Sequence, residues 1–246
     1  MNSTLILLAA GSLRRAFIPL QAQFTQRTGI AVEIVFGPAG LLRERIERGA
    51  ACSVFASANH QHPHRLCETG RAHGLQPFAQ NQLILTVKNT PQTVEKDWLG
   101  LLSDTALRLG TSTPLCDPSG DYTWQLFERL DIDYPGLGTT LKQRAIQLVG
   151  GRDSLTVPPG EIASRWLIRQ GLADLFMGYA HYATASAEDT DIRNVTIPQP
   201  WNIRCEYYLA RLDESAAARQ FCQFIVADEG QRCLRDAGFL AVSDPV

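Results

Sequence analysis

Short apolar runs of strand length alternate with longer amphipathic stretches from the start of the chain, and the period switches from two to about 3.6 at each change. Residues 4–8 read as a strand that closes on Ala9, Ala10, Gly11 and Ser12. Leu13, Ala16, Phe17, Leu20 and Phe24 then recur at helical spacing until Gly29 stops the helix. Residues 30–36 form a second, β-branched strand ending in Gly37-Pro38-Ala39-Gly40, and a helix with Leu41, Leu42 and Ile46 runs on to Gly49. Residues 52–56 are a third strand, ending in Ser57-Ala58-Asn59.

Three strands in βαβαβ order, joined by right-handed crossovers, place all three ends on one edge of a parallel sheet. Ligands of open α/β sheets bind at that edge. A strand that ends in small residues and a serine before a helix also offers free N–H donors and the positive end of a dipole. Ser12 reads as the N-cap of the first helix.

A second series follows. Residues 83–87 are a strand, preceded by Phe78-Ala79-Gln80-Asn81, which reads as a connector, and Trp98, Leu101 and Leu102 mark a short helix. Residues 108–111 lead into Ser112-Thr113-Pro114-Leu115-Cys116-Asp117-Pro118-Ser119-Gly120-Asp121 and a helix over 122–130. Pro158-Pro159-Gly160-Glu161 signals another helix start, and residues 173–179 read as a buried strand. Residues 195–201, stiffened by two prolines, return the chain to the first lobe. A strand over 207–212 and helices over 216–225 and 229–236 complete it, with Gly238 as the last stop.

At 246 residues, 45% hydrophobic and 20% charged, the chain is long enough for two modest lobes. Lys+Arg and Asp+Glu nearly balance at 23 and 25, and no basic run appears, which argues against a nucleic-acid partner. No apolar run approaches the roughly 18 residues of a membrane span. Residues 5–10 resemble a signal h-region but lack a cationic flank and run into a helix, so they are read as strand. The six cysteines show neither a CxxC pair nor zinc spacing, and a Cys222–Cys233 bridge is allowed but not implied.

His60, His62 and His64 would share a face of a strand, but they follow a strand end where that geometry is lost. They are read as a surface loop, with no metal site. Arg14, Arg15 and Arg152 are read as solvated; an arginine reaching the ligand would favour a carboxylate or phosphate ester through its bidentate fork. Asp117, Asp121, His181 and Tyr182 could be drawn together on paper, yet there is no G-x-S-x-G elbow, P-loop or G-x-G-x-x-G after a strand. The chain is read as a binding protein and not an enzyme.

Five segments in order resemble the molybdate-type solute-binding proteins of ABC importers. They are Ala9-Ala10-Gly11-Ser12-Leu13, Phe36 to Leu42 with Ile46 and Gly49-Ala50, Ser53-Val54-Phe55-Ala56-Ser57-Ala58, Asp117-Pro118-Ser119-Gly120, and the closing run from Gly230 to Phe239. The resemblance implies an α/β, two-lobed periplasmic binding protein fold of type II, each lobe a mostly parallel sheet flanked by helices, with the ligand in the interlobe cleft. The implied lobes are 1–80 with 200–246, and 81–199. It also implies capture of molybdate or tungstate by hydroxyls and backbone N–H groups, delivery to a membrane permease, a periplasmic or cell-surface location with the signal segment absent from this chain, a monomer, and no cofactor.

Carried over residue by residue, the ligand set is Ser12, Ala39, Ser119, Gly160 and Tyr179. Ser12 supplies a hydroxyl and an N–H, and Ser119 and Gly160 supply N–H groups at helix starts. Two positions depart from the pattern. Ala39 stands where the family has a second serine, and Gly178 where it often has a tyrosine, with Tyr179 adjacent. These departures open the alternative of an organic acid or a phosphate ester as ligand.

Overall fold

The computed structural model describes residues 4–243, which divide into two compact units, 4–81 with 205–243, and 82–204. The first unit contains β1 (Leu5–Ala10), α1 (Arg14–Thr28), β2 (Val32–Gly37), α2 (Ala39–Glu47), β3 (Val54–Ser57), α3 (Gln61–Glu68) and β4 (His73–Asn81). The second holds β5 (Leu83–Lys88), α4 (Trp98–Ser103), β6 (Leu109–Ser112), α5 (Pro118–Asp133), α6 (Leu137–Arg144), β7 (Ile146–Val149), α7 (Ala163–Arg169), β8 (Leu175–Tyr179), α8 (Tyr182–Ala185) and β9 (Ile192–Thr196). The chain then rejoins the first unit as β10 (Cys205–Arg211), α9 (Ala216–Val226) and α10 (Asp228–Asp236).

The two sheets repeat one plan, β2-β1-β3-β10-β4 and β7-β6-β8-β5-β9. In the first, β2, β1 and β3 are parallel and β10 runs against both β3 and β4. In the second, β7, β6 and β8 are parallel and β5 runs against β8 and β9. Four strands of each sheet therefore point one way, and the reversed one is the strand that has just crossed from the other unit.

Packing of the first unit rests on α1. Phe17, Leu20 and Phe24 are fully buried, with the Phe24 ring 4.9 Å from Phe221 and 5.5 Å from Phe224 on α9. Each such side chain contributes about 1.5–3 kcal/mol by leaving water. In the second unit α6 lies so close to α5 that a Cβ on Gly138 would fall 1.8 Å from the Phe127 carbonyl oxygen, so only glycine fits there.

Several expectations need correction. Residues 78–81 are not a connector but the buried end of β4, and Gln82 alone separates β4 from β5. Pro77 hid this strand; it is tolerated because β4 is a sheet edge and because the register with β10 slips between Tyr207 and Tyr208, opposite Ala79 and Pro77. Residues 195 and 196 are the end of β9, which pairs with β5, so this stretch belongs to the second sheet before the chain returns. His60, His62 and His64 do not form a loop: the helix α3 spans Gln61–Glu68 and His60 caps it in helical conformation. The six cysteines are free thiols, and burial pushes Cys52 up to about 12 and Cys222 to about 11.

Candidate functional site

In the first unit, parallel pairing sets Ala9 beside Phe36 and Ala10 beside Gly37, while Ala9 also pairs with Ala56. The turns after β1, β2 and β3 therefore emerge on one edge. The first two approach closely: a Cβ on Gly11 would lie 4.0 Å from the Gly37 carbonyl oxygen. Ser12 does not cap α1. It sits inside a 3-10 turn, Gly11–Leu13, and neither that turn nor α1 receives a side-chain cap. The Ser12 Oγ instead lies 3.1 Å from the Tyr207 Oη, delivered by β10.

Ala39 is fully buried as the first residue of α2, and its N-cap, Pro38, offers no side-chain acceptor. The first-turn amides of α2 therefore keep the unmet donor capacity of an uncapped helix start. Arg14 places its guanidinium 4.4 Å from the Phe36 ring centroid, so it lies against the end of β2 while remaining exposed. The third turn is closed by its own bonds, with the Asn59 N–H donating to Ser57 Oγ at 3.2 Å and the His62 N–H to Asn59 Oδ1 at 3.2 Å.

In the second unit the corresponding edge is built differently. The Asp117 Oδ1 caps α5 by accepting the Ser119 N–H at 3.1 Å, so the amide expected to serve a ligand already has an acceptor. Ser119 itself is buried. The Asp117 carboxyl packs beneath Gly150, where an added Cβ would fall 2.6 Å from Oδ2 at φ +80°. Burial pushes that carboxyl up to about 6 despite the Ser119 and Ser112 hydrogen bonds, which favour its charge. Asp121 is also raised by burial, while its Oδ1 accepts the Leu115 N–H at 2.7 Å.

Gly160 does not start a helix. It occupies an exposed turn at φ +84°, and α7 begins at Ala163 after the N-cap Ile162. Tyr179 ends β8, is 4% exposed, and has its ring centroid 6.0 Å from that of His181. The five residues thus fall into two sets. Ser12 and Ala39 share the edge of the first sheet; Ser119 and Tyr179 lie at strand and helix ends of the second, with Gly160 in the loop beyond β7. Tyr207 is not singled out by the sequence, and Asp117 is read there only within the Asp117-Pro118-Ser119-Gly120 segment and as a paper acid–base partner, not as the cap that occupies the Ser119 amide. Asp117-Pro118 carries a cap-and-first-turn signature that could have revealed the occupied amide, whereas nothing local to Tyr207 points to Ser12.

Residues 5–240 match the family described as bacterial extracellular solute-binding protein. The chain belongs to that family. This solute-binding protein is 43% identical over 95% of its length, and 97% of the relative's, to an uncharacterized protein of Pasteurella multocida. It is 24% identical to the molybdate-binding protein ModA of Mycobacterium tuberculosis, over 96% of this chain and 84% of that one.

Its fold matches the periplasmic molybdate-binding protein of Azotobacter vinelandii with a TM-score of 0.75 at 20% identity, covering 96% and 98% of the two chains. Other solved proteins of this fold are named for sulfate, iron and thiamin. The solute-binding protein is thus ModA-like in its type II periplasmic binding fold, and the relatives that carry a function in their names are binding proteins. No helix among the described residues is long and apolar enough to cross a membrane.

Proposed function

We propose that this protein is the periplasmic, monomeric capture component of an ABC importer and that it closes its two lobes around an oxyanion, molybdate or tungstate. The observation that carries this reading is the edge shared by Ser12 and Ala39. There, an oriented hydroxyl, small residues and the uncapped N-terminus of α2 meet with no carboxylate supplied by the turns themselves. Neutral donors of this kind stabilise a dianion through several short bonds and through the helix dipole. In the closed state Ser12 and the Ala39 amide would hold one side of the ion. The Tyr179 hydroxyl and groups near Ser119 and Gly160 would hold the other, and no cofactor is required.

A second reading, a phosphate ester or an organic acid, is favoured by Arg14 against Phe36 and by the missing hydroxyl at Ala39. Its guanidinium would add a charged fork that an inorganic dianion does not need. Calorimetric titration with molybdate, tungstate, sulfate and phosphate, then with small phosphorylated and carboxylic acids, separates the two. Tight binding of molybdate or tungstate that survives Arg14→Gln supports the first. Binding confined to the organic acids and lost in Arg14→Gln supports the second, and no heat with any anion overturns both.

A further inference from the structure

We infer that His60 and His64 form a two-imidazole chelate for a borderline divalent transition metal, Ni²⁺ or Zn²⁺, on the exposed face of α3. Helical conformation begins at His60 (φ −75°, ψ −38°), and the His64 N–H donates to the His60 carbonyl at 3.0 Å, so the two residues stand one turn apart. Both are exposed, and their ring centroids lie 4.9 Å apart with the planes at 32°. Imidazoles at i and i+4 on one helix face are a bidentate arrangement for zinc-like ions. His62, between them in sequence, points the other way and is buried.

Each ring has one neighbour that orients it. His64 Nδ1 lies 3.6 Å from Glu68 Oε2, which leaves Nε2 for a metal and makes Glu68 the carboxylate behind the ligand. The His60 ring meets Tyr208 edge-on at 4.9 Å, and the Tyr208 hydroxyl donates to Glu206 at 3.3 Å. One carboxylate, Glu68, thus borders the pair, while Arg65, the cation next in sequence to His64, is turned to Glu47 at 3.1 Å.

Among the described residues no three His, Cys, Asp or Glu side chains converge into a preformed cage. The chelate is therefore an open one, completed by water. Nitrogen ligands select nickel, copper and zinc over the oxygen-seeking calcium and magnesium.

The test is titration calorimetry of tag-free protein with Ni²⁺ and with Zn²⁺, in a non-chelating buffer with a phosphine reductant to keep the cysteines as thiols. One ion per chain is expected, with affinity falling at least tenfold in His60→Ala and in His64→Ala and unchanged in His73→Ala. Glu68→Gln should weaken binding by about tenfold. Because His60 packs on Tyr208, His60→Gln provides a variant that keeps the ring's bulk more nearly intact. A double variant, His60→Gln with His64→Gln, that still binds one ion as tightly as the natural chain overturns the inference. So does absence of binding to the natural chain.

Discussion

The Ser12 and Tyr207 hydroxyls lie 3.1 Å apart although 195 residues separate them in sequence. Tyr207 is fully buried, its ring held edge-on by Phe78 at 6.1 Å and by Phe239 at 5.2 Å. A rigid tyrosine therefore sets the rotamer of a half-buried serine at the mouth of the first sheet. Tyr207→Phe keeps the packing and removes that constraint, so the cost in stability should be about 1 kcal/mol. Anion affinity should fall about fivefold, and more steeply in Ser12→Ala, where the hydroxyl itself is lost. Calorimetry of both variants checks the order; a Ser12→Ala variant with full affinity would remove Ser12 from the site.

Ala39 supplies an amide but no hydroxyl at the start of α2. Ala39→Ser restores the missing donor, and the expected outcome is affinity for molybdate or tungstate raised about tenfold, equivalent to one added hydrogen bond to a charged group. Competition between molybdate and a small phosphorylated acid reads the change. Tighter binding of the organic acid instead would favour the second ligand class.

Asp117 holds an inherently unfavourable charge in the second unit. Its carboxyl is raised from 3.8 to about 6 in the folded state, so the ionised form destabilises the fold above pH 6. That penalty is relieved as the pH falls through 6 toward 4. The full difference is about 3 kcal/mol. Asp117→Asn retains an acceptor for the Ser119 N–H and should be more stable than the natural chain at pH 7.5, with the gap closing by pH 4. Trp98, Trp124, Trp166 and Trp201 all lie within 82–204. Tryptophan fluorescence during urea unfolding therefore reports this unit. An unchanged midpoint at pH 7.5 would contradict the assignment.

His62 has the opposite linkage in the first unit. Burial, reinforced by the neighbouring Arg43, lowers it from 6.5 to about 4. The unfolded chain takes up a proton that the folded chain refuses, so the stability present above pH 6.5 is lost as the pH falls toward 4, by up to about 3 kcal/mol. His62→Gln should flatten this acid loss, measured as circular-dichroism melting at pH 7.5 and 4.5. A variant that loses stability on acidification as steeply as the natural chain would reject the linkage.

Gly150 combines φ +80° with a Cβ position 2.6 Å from Asp117 Oδ2. Gly150→Ala should cost at least about 2 kcal/mol through strain and displacement of the carboxyl, and thermal melting followed by tryptophan fluorescence measures it. A melting temperature equal to that of the natural chain would show that Asp117 can move away freely.

The sequence by itself determined the elements whose signal is local. The period of Leu13, Ala16, Phe17, Leu20 and Phe24 specified α1, and the apolar runs with small-residue ends specified β1, β2 and β3 in order, because burial of one face imposes its spacing on neighbouring residues. Those same turns, with the Asp117-Pro118-Ser119-Gly120 segment, carried the family resemblance.

Only the tertiary structure decided what depends on partners distant along the chain. Edge position and a register slip made a strand of the Pro77 segment. Antiparallel return of β10 through the first sheet brought Tyr207 to Ser12. The helical turn that begins at His60 put two imidazoles on one face and buried the third. Periodicity constrains which face a residue occupies, but not which remote residue will meet it there.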